Sequence, residues 1–173
     1  MNHFELFGLT PAVDVDVKAL EQRHRDLSLS VHPDRIKGAD PATRRKAAET
    51  SATLNEAVKV LKDPVRRATY LLKLAGVDLD SEGTADRVKL PMEFLEEILS
   101  RREALETVKG RRDLPAATVL ARDVKNELDE ALASAQTALR HHDVAGATTH
   151  LGRLRYYARF LEEVDAFEEE LAS

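Results

Sequence analysis

The chain has 173 residues, of which 43% are hydrophobic and 33% are charged, and it contains no cysteine. A chain of this length can form one medium-sized domain or two small ones, with enough apolar residues to bury a core. The lack of cysteine excludes disulfides, thiol catalysis and cysteine-ligated zinc or iron–sulfur clusters within the chain. The sequence shows neither an apolar run long enough to span a bilayer nor a signal-peptide pattern, so we expect a cytoplasmic protein.

The net charge of −5 is distributed unevenly along the chain. Residues 1–75 carry 13 Lys and Arg against 10 Asp and Glu, whereas residues 76–173 carry 13 against 21. Such an asymmetry suggests different partners for the two halves. Nucleic acid is a poor candidate, because the basic residues are interleaved with acidic ones and few aromatic residues accompany them.

The first long helix is predicted between an aspartate and a proline. Apolar side chains recur with a helical period over residues 17–31, and Asp14 or Asp16 can accept hydrogen bonds from the first turn. Pro33 ends the helix, because the residue before a proline is pushed toward extended geometry.

A second long helix follows after a polar loop. Asp40-Pro41 has the form of a cap with proline at the first helical position, and the apolar face ends at Asp63-Pro64. A shorter helix then closes at Gly76, a residue typical of helix C-termini. With a short helix at the start, residues 1–76 are predicted to form an antiparallel helical hairpin flanked by short helices.

The second half is predicted to form a separate helical bundle. Residues 77–90 are polar and weakly periodic, which indicates a linker. Three helical segments follow, near 91–109, 115–141 and 144–171. Three helices with short connections fold most simply as an antiparallel bundle, here over 91–173. The predicted fold class is therefore all-α.

No pattern in the chain indicates an enzyme. It has no glycine loop that would cradle phosphates, and its paired glutamates resemble solvated helix faces. His141, His142 and His150 could offer imidazole ligands, but adjacent histidines point in different directions on a helix and no nearby carboxylate completes a set. We therefore predict no enzymatic activity, no cofactor and no metal site.

The stretch LSLSVHPDRIKG, residues 27–38, is the strongest candidate for a site. Pro33 forces His32 and Asp34 out of the helical ladder, between two periodic helices. A stiff exposed loop with an imidazole and a carboxylate is well suited to docking on a protein surface. The alternative is a proline stop with two polar loop residues.

These residues resemble a known family. A helix, an HPD loop and then the pattern LNEAVKVLKDPVRRATYLL, over about residues 3–75, are similar to the J-domain, the module that binds DnaK-type chaperones and stimulates their ATPase. FELFGL at the start, RATYLLKLAG at the end and a short acidic helical domain afterwards resemble the HscB co-chaperones of iron–sulfur cluster assembly.

The resemblance implies roles for the residues around the loop. His32 and Asp34 would contact the chaperone where its nucleotide domain, linker and peptide domain meet, and Pro33 would fix their presentation. Further attraction to an acidic chaperone surface would come from three arginines, Arg23, Arg25 and Arg35. The alternative is that these arginines form an ordinary solvated helix face.

The second half offers more apolar surface than a three-helix bundle needs. Met92, Leu95 and Leu99 form a stripe offset from the core stripe of their helix, and Tyr156, Phe160 and Phe167 are predicted to lie off the core face of the last helix. This surplus suggests a partner, and the alternatives are a wider core or packing against the J-domain.

The HscB resemblance extends to this surface. The segment PMEFLE...REALE is similar to the HscB segment that binds the cluster scaffold protein IscU. The implied scaffold-binding residues are Met92, Leu95, Glu96, Leu99, Glu103 and Tyr156.

The combined interpretation is a co-chaperone that stimulates a DnaK- or HscA-type ATPase and delivers IscU to it, without binding nucleic acid or membrane. Two alternatives remain at this point. One is a generic J-domain protein that delivers another client to a DnaK-type chaperone. The other is a helical adaptor in which the HPD sequence is accidental.

Overall fold

The computed structural model of the protein describes residues 1–32, 37–81 and 88–172, and every regular element within these residues is a helix. The elements are α1 His3–Leu6, α2 Val17–Ser30, α3 Pro41–Lys62, α4 Pro64–Leu74, α5 Met92–Gly110, α6 Leu114–Arg140 and α7 Val144–Ala172. They form two compact units, Met1–Leu74 and Ala75–Ser173. The prediction of an all-α fold is confirmed.

The first unit is a hairpin of α2 and α3 closed by the two short helices. Its core is built from residues of α1, α2 and α3 and the turn after α1: Phe4, Phe7, Leu20, Leu54, Ala57, Val58 and Leu61. Tyr70 on α4 accepts a hydrogen bond from the backbone N–H of His3 at 3.0 Å and stacks on its ring. These contacts join α1 to α4 at the side of the hairpin, and the HPD sequence lies between α2 and α3 in the chain.

The second unit packs α5 against the long hairpin of α6 and α7. The faces of α6 and α7 that meet include small side chains, among them Ala117, Ala131, Ala135 and Ala147, all buried. Small residues allow two helix backbones to approach closely, while larger residues such as Val124 and Leu151 fill the remaining space. In the part of the chain that the structure describes, no helix combines the length and hydropathy that a membrane span requires.

The last helix corrects one expectation from the sequence. Phe160 and Phe167 are 1% and 5% exposed, so they belong to the core and not to a surplus face. Tyr156, in contrast, is 42% exposed. The prediction for the two phenylalanines was wrong because α7 buries more than one stripe: it contacts α5, α6 and the segment that precedes α5.

The segment before α5 packs on α7 at both of its described ends. Leu79 is 2% exposed, and its carbonyl accepts a hydrogen bond from Arg155 Nη1. Val88 lies against Gly152, where a Cβ atom would come within 2.8 Å of the valine Cγ1. The absence of a side chain at Gly152 therefore lets this segment lie directly on the helix. Residues 82–87 of the predicted linker lie outside the described residues.

Candidate functional site

The HPD sequence lies where α2 ends and the hairpin turns toward α3. Helix α2 ends at Ser30, Val31 caps it, and His32 is exposed. Pro33, Asp34 and Arg35 lie outside the described residues, so their predicted contacts with a chaperone stay predictions.

Two side-chain contacts join α2 to α3 below this turn. Glu21 forms a salt bridge with Lys62, and His24 Nε2 lies 2.9 Å from Asn55 Oδ1. His24 and Asn55 lie between the ion pair and the HPD turn along the hairpin. The two contacts fix the register of α2 against α3, the two helices that flank the HPD sequence in the chain.

The two described arginines of α2 have different surroundings. Arg23 Nη1 donates to the Phe7 carbonyl and, at 3.4 Å, to the Gly8 carbonyl, so this side chain fastens the turn after α1 to α2. Gly8 adopts a left-handed φ of +63°, which favours glycine. Arg25 is exposed and donates to Gln22 Oε1 at 2.7 Å, within its own helix. Arg25 is therefore more available to a partner than Arg23.

A groove of about 620 Å³ lies beside the HPD turn. Its lining includes small residues of α3, such as Ala48 and Ala52, and two basic residues, Lys37 and Arg44. Arg44 is not among the site residues predicted from the sequence. The signal was the basic run TRRK at the start of α3, which a helical wheel alone would read as a solvated face.

The six residues implied for scaffold binding are called the scaffold face here: Met92, Leu95, Glu96, Leu99, Glu103 and Tyr156. Five of them share one side of α5, because their positions are separated by 3, 4, 7 and 11 residues from the first. Met92 and Leu99 are 66% and 60% exposed, and Leu95 is half-buried. Exposed apolar side chains on neighbouring turns form a surface that water solvates poorly.

Tyr156 is attached to α5 through an aromatic contact. Its ring meets the ring of Phe94 edge to face, with centroids 5.8 Å apart. Because Phe94 lies in the first turn of α5, Tyr156 lies at the level of the N-terminal half of this helix. Glu103 is eight residues beyond Leu95, a separation of about 12 Å along a helix axis. Along the axis of α5, Tyr156 therefore lies level with the apolar end of the scaffold face, and Glu103 lies at the other end.

Two ion pairs attach α5 to the other two helices of the second unit. Arg101 bonds Glu97 on its own helix at 2.6 Å and also Glu127 of α6, while Arg102 bonds Glu163 of α7 at 2.5 Å. These contacts fix the rotation of α5 about its axis, which determines which residues face outward.

The three histidines of the second unit lie at separate places along α6, the turn that follows it and α7. His141 caps the C-terminus of α6, and His142 adopts a left-handed φ of +57° in the turn that follows. Among residues 1–32, 37–81 and 88–172, no three His, Asp or Glu side chains converge as metal ligands would. His150 is half-buried on α7, where burial, followed by the positive charge of Arg153, lowers its pKa.

The fold and the two surfaces define a class of protein. The model of the DnaJ domain matches residues 2–70, and that of the HSCB C-terminal oligomerisation domain matches residues 90–165. A J-domain followed by an HscB-type helical domain is the arrangement of a J-domain co-chaperone.

Full-length comparisons specify the family. A co-chaperone protein HscB homolog of Shewanella halifaxensis is 33% identical over 99% of both chains. The structure of the chaperone HscB from Vibrio cholerae is similar with a TM-score of 0.81, 32% identity and 99% of both chains covered. The crystal structure of the human co-chaperone protein HscB has a TM-score of 0.85 at 24% identity, covering 97% of this chain and 82% of the human one, and shows the same fold. The chain belongs to the HscB family of co-chaperones, which work with Hsp70-type chaperones.

Proposed function

We propose that the protein stimulates the ATPase of a DnaK- or HscA-type chaperone and delivers an IscU-type scaffold protein to it in the cytoplasm. The observation that supports this proposal is the presence of two separate surfaces on one chain. The α2–α3 hairpin that flanks the HPD sequence belongs to the first unit, and the residues of the scaffold face belong to α5 and α7 in the second.

The chemistry of the scaffold face fits its proposed partner. At the scaffold face, Met92, Leu99 and Tyr156 supply apolar contact area, and burial of apolar area against a partner provides most of the affinity at the centre of an interface. Glu96 and Glu103 add negative charge, which selects a partner with donors or basic groups at matching positions. The iron–sulfur cluster stays on the scaffold, since this chain has no thiolate to ligate it.

One protein that binds both partners raises the effective concentration of the scaffold at the chaperone. Hydrolysis of ATP by the chaperone then traps the scaffold in its peptide-binding domain. In this scheme the protein supplies positioning and no bond-making chemistry.

The test is the steady-state ATPase rate of an HscA-type chaperone with the protein, with IscU and with both. We expect modest stimulation by the protein alone and a greater than additive effect when IscU is added. Stimulation without such synergy would favour the generic J-domain alternative, and no stimulation at all would contradict both.

Substitutions in the HPD sequence should remove the stimulation without unfolding the protein. His32→Gln and Asp34→Asn are each expected to reduce it to the level of the chaperone alone, and His32 is exposed, so its substitution should not disturb the core. Asp123→Asn, the same chemical change at an exposed position on α6, is the matched control and should stimulate normally. Wild-type stimulation by Asp34→Asn would show that the HPD sequence is not the docking site.

A further inference from the structure

A pocket of about 340 Å³ lies in the second unit between the segment before α5, α5 itself and α7. Its apolar wall includes Leu90, Ile98 and Phe160. Three arginines complete the lining, Arg102, Arg155 and Arg159, and no acidic residue contributes to it in the part of the chain that the structure describes. Ligand sites in proteins commonly begin at about 300 Å³ and combine apolar walls with a few polar groups.

The pocket lining is positively charged, whereas the second half of the chain, to which it belongs, has a net negative charge. Residues 76–173 carry 13 basic against 21 acidic side chains, yet three guanidinium groups meet at this one pocket. Positive charge gathered in a concave site with apolar walls focuses the local potential and attracts anionic groups.

The three arginines differ in how far their charge is already compensated. Arg102 is bonded to the Glu163 carboxylate at 2.5 Å, whereas Arg155 donates to the neutral carbonyl of Leu79. Arg159 is exposed and makes no hydrogen bond or ion pair with any residue that the structure describes. Among the residues that the structure describes, two of the three positive charges therefore have no carboxylate in contact with them.

The pocket wall is packed against α7. The missing side chain at Gly152 lets Val88 and Leu90 lie on the helix, since a Cβ atom there would be 2.8 Å from Val88 Cγ1 and 3.4 Å from Leu90 Cδ2. The hydrogen bond to Leu79 also fixes Arg155. An anionic group that enters meets one guanidinium, that of Arg155, which is already held in place, and this lowers the entropic cost of binding.

We propose that this pocket binds an exposed segment of the delivered scaffold protein in which an acidic side chain stands next to an apolar one. The observation that selects this occupant is Tyr156, which belongs both to the scaffold face and to the pocket wall. A protein held on the scaffold face therefore lies next to the pocket mouth. The carboxylate is held by Arg159 and Arg155, and the apolar side chain contacts Ile98 and Phe160. The inference rests on the proposed function, since it assigns a second contact to the same partner.

The experiment measures the dissociation constant of an IscU-type scaffold by calorimetry at low and high salt. Arg159→Ala is expected to weaken binding by about 5–10-fold, as for a charge-assisted hydrogen bond partly shielded from water, and Arg159→Glu by more. Both should lower the salt dependence of the affinity, because one screened charge pair is lost. Melting temperatures should match that of the parent.

Arg122→Ala is the matched control, because Arg122 is an exposed arginine of α6 whose ion pair is with its neighbour Asp123 at 3.5 Å. Its affinity should equal that of the parent. In a second step, Lys substitutions at exposed acids of the scaffold should identify one that restores binding to Arg159→Glu.

Equal affinity of the parent and Arg159→Glu at low salt would overturn the inference and leave the proposed function intact. A parent protein that fails to bind the scaffold at all would instead contradict the proposed function, and this inference with it.

Discussion

Arg67 shows how an arginine of the first unit can serve the fold alone. It is 8% exposed, and its guanidinium donates to the carbonyl of Val13 at 2.8 Å and to that of Leu61 at 2.6 Å. Burial lowers its pKa, the charges of Asp14 and Asp63 oppose that change, and an arginine side chain remains protonated in proteins. The two bonds join the loop before α2 and the end of α3 to α4. Arg67 is thus unavailable to a partner, whereas Arg25 is exposed.

On α5, substitutions of single leucines can distinguish a residue that contributes to scaffold binding from one that contributes to folding stability. Leu95→Ala should weaken scaffold binding by about 1–3 kcal/mol, the range for an apolar anchor near the centre of an interface. Its melting temperature should fall little, because Leu95 is only half-buried. Leu105 is 0% exposed on the same helix, and Leu105→Ala should cost about 2–5 kcal/mol of folding free energy.

The matched control for Leu95→Ala is Leu74→Ala, which truncates a leucine that is 43% exposed on α4, in the other unit. It should change neither scaffold affinity nor stability appreciably. Calorimetric binding and thermal unfolding measured on the three variants would decide the matter. A Leu95→Ala protein that unfolds much earlier yet binds the scaffold normally would mean that Leu95 is a core residue.

At the scale of the elements, an ion pair and an aromatic contact join α5 to α6 and α7. Arg101 of α5 bonds Glu127 of α6, and Tyr157 of α7 packs its ring against Phe94 with centroids 5.6 Å apart. Burial, reinforced by the negative charge of Glu127, raises the pKa of Tyr157 to about 12. The phenol therefore stays neutral in the folded protein at pH values where an unfolded tyrosine ionises, near 10.

This raised pKa predicts an alkaline loss of stability. An acid whose pKa is higher in the folded state stabilises the fold fully below its unfolded pKa and loses that contribution as the pH rises toward the folded value. Stability should therefore decline between about pH 10 and pH 12, and Tyr157→Phe should show a smaller decline over the same window. Urea unfolding at pH 8, 10 and 11.5 measures both, and Tyr156→Phe, which removes the exposed hydroxyl next to it, is the control. Identical pH profiles for the parent and Tyr157→Phe would contradict the assignment.

Helix positions were predictable from the sequence because local chemistry determines them. Aspartates accept backbone hydrogen bonds at the start of five helices: Asp16, Asp40, Asp63, Asp113 and Asp143. Three of these helices also have a proline in the first turn. Such signals act within four residues, so they do not depend on the tertiary fold.

Faces that depend on long-range packing were harder to predict. Phe160 was assigned to a surplus face because the number of elements around α7 cannot be derived from its own periodicity. The packing of Leu79 on α7 was missed for a similar reason, since an irregular segment has no period that reveals its buried residues. Tyr156 and Phe160 are four residues apart on α7, yet one is exposed and the other is not. The difference comes from neighbours that are distant in the sequence.

At the scale of the whole molecule, the chain combines two units with opposite charge balance. Residues 1–75 carry an excess of positive charge and residues 76–173 an excess of negative charge. The order of the units and the family could be predicted from the sequence, because their motifs combine fixed residues at fixed separations. The residues of α5 that face outward could not be predicted from the sequence, because apolar residues lie on both sides of this helix. Only the packing against α6 and α7 determines which side faces out.

The modest burial of α5 has a consequence for hydrogen exchange. Its buried residues are Phe94, Ile98 and Leu105, whereas α7 buries Ala147, Leu151, Gly152, Leu154, Tyr157, Phe160, Val164 and Phe167. Helices with fewer buried apolar contacts open at a lower free energy. The amides of α5 should therefore take up deuterium before those of α7.

With the scaffold at about 100 times its Kd, binding should add about 2.7 kcal/mol to the opening free energy of α5 and slow its exchange about 100-fold. Exchange followed by mass spectrometry would measure this, and an α5 whose rate is unchanged by bound scaffold would place the binding surface elsewhere.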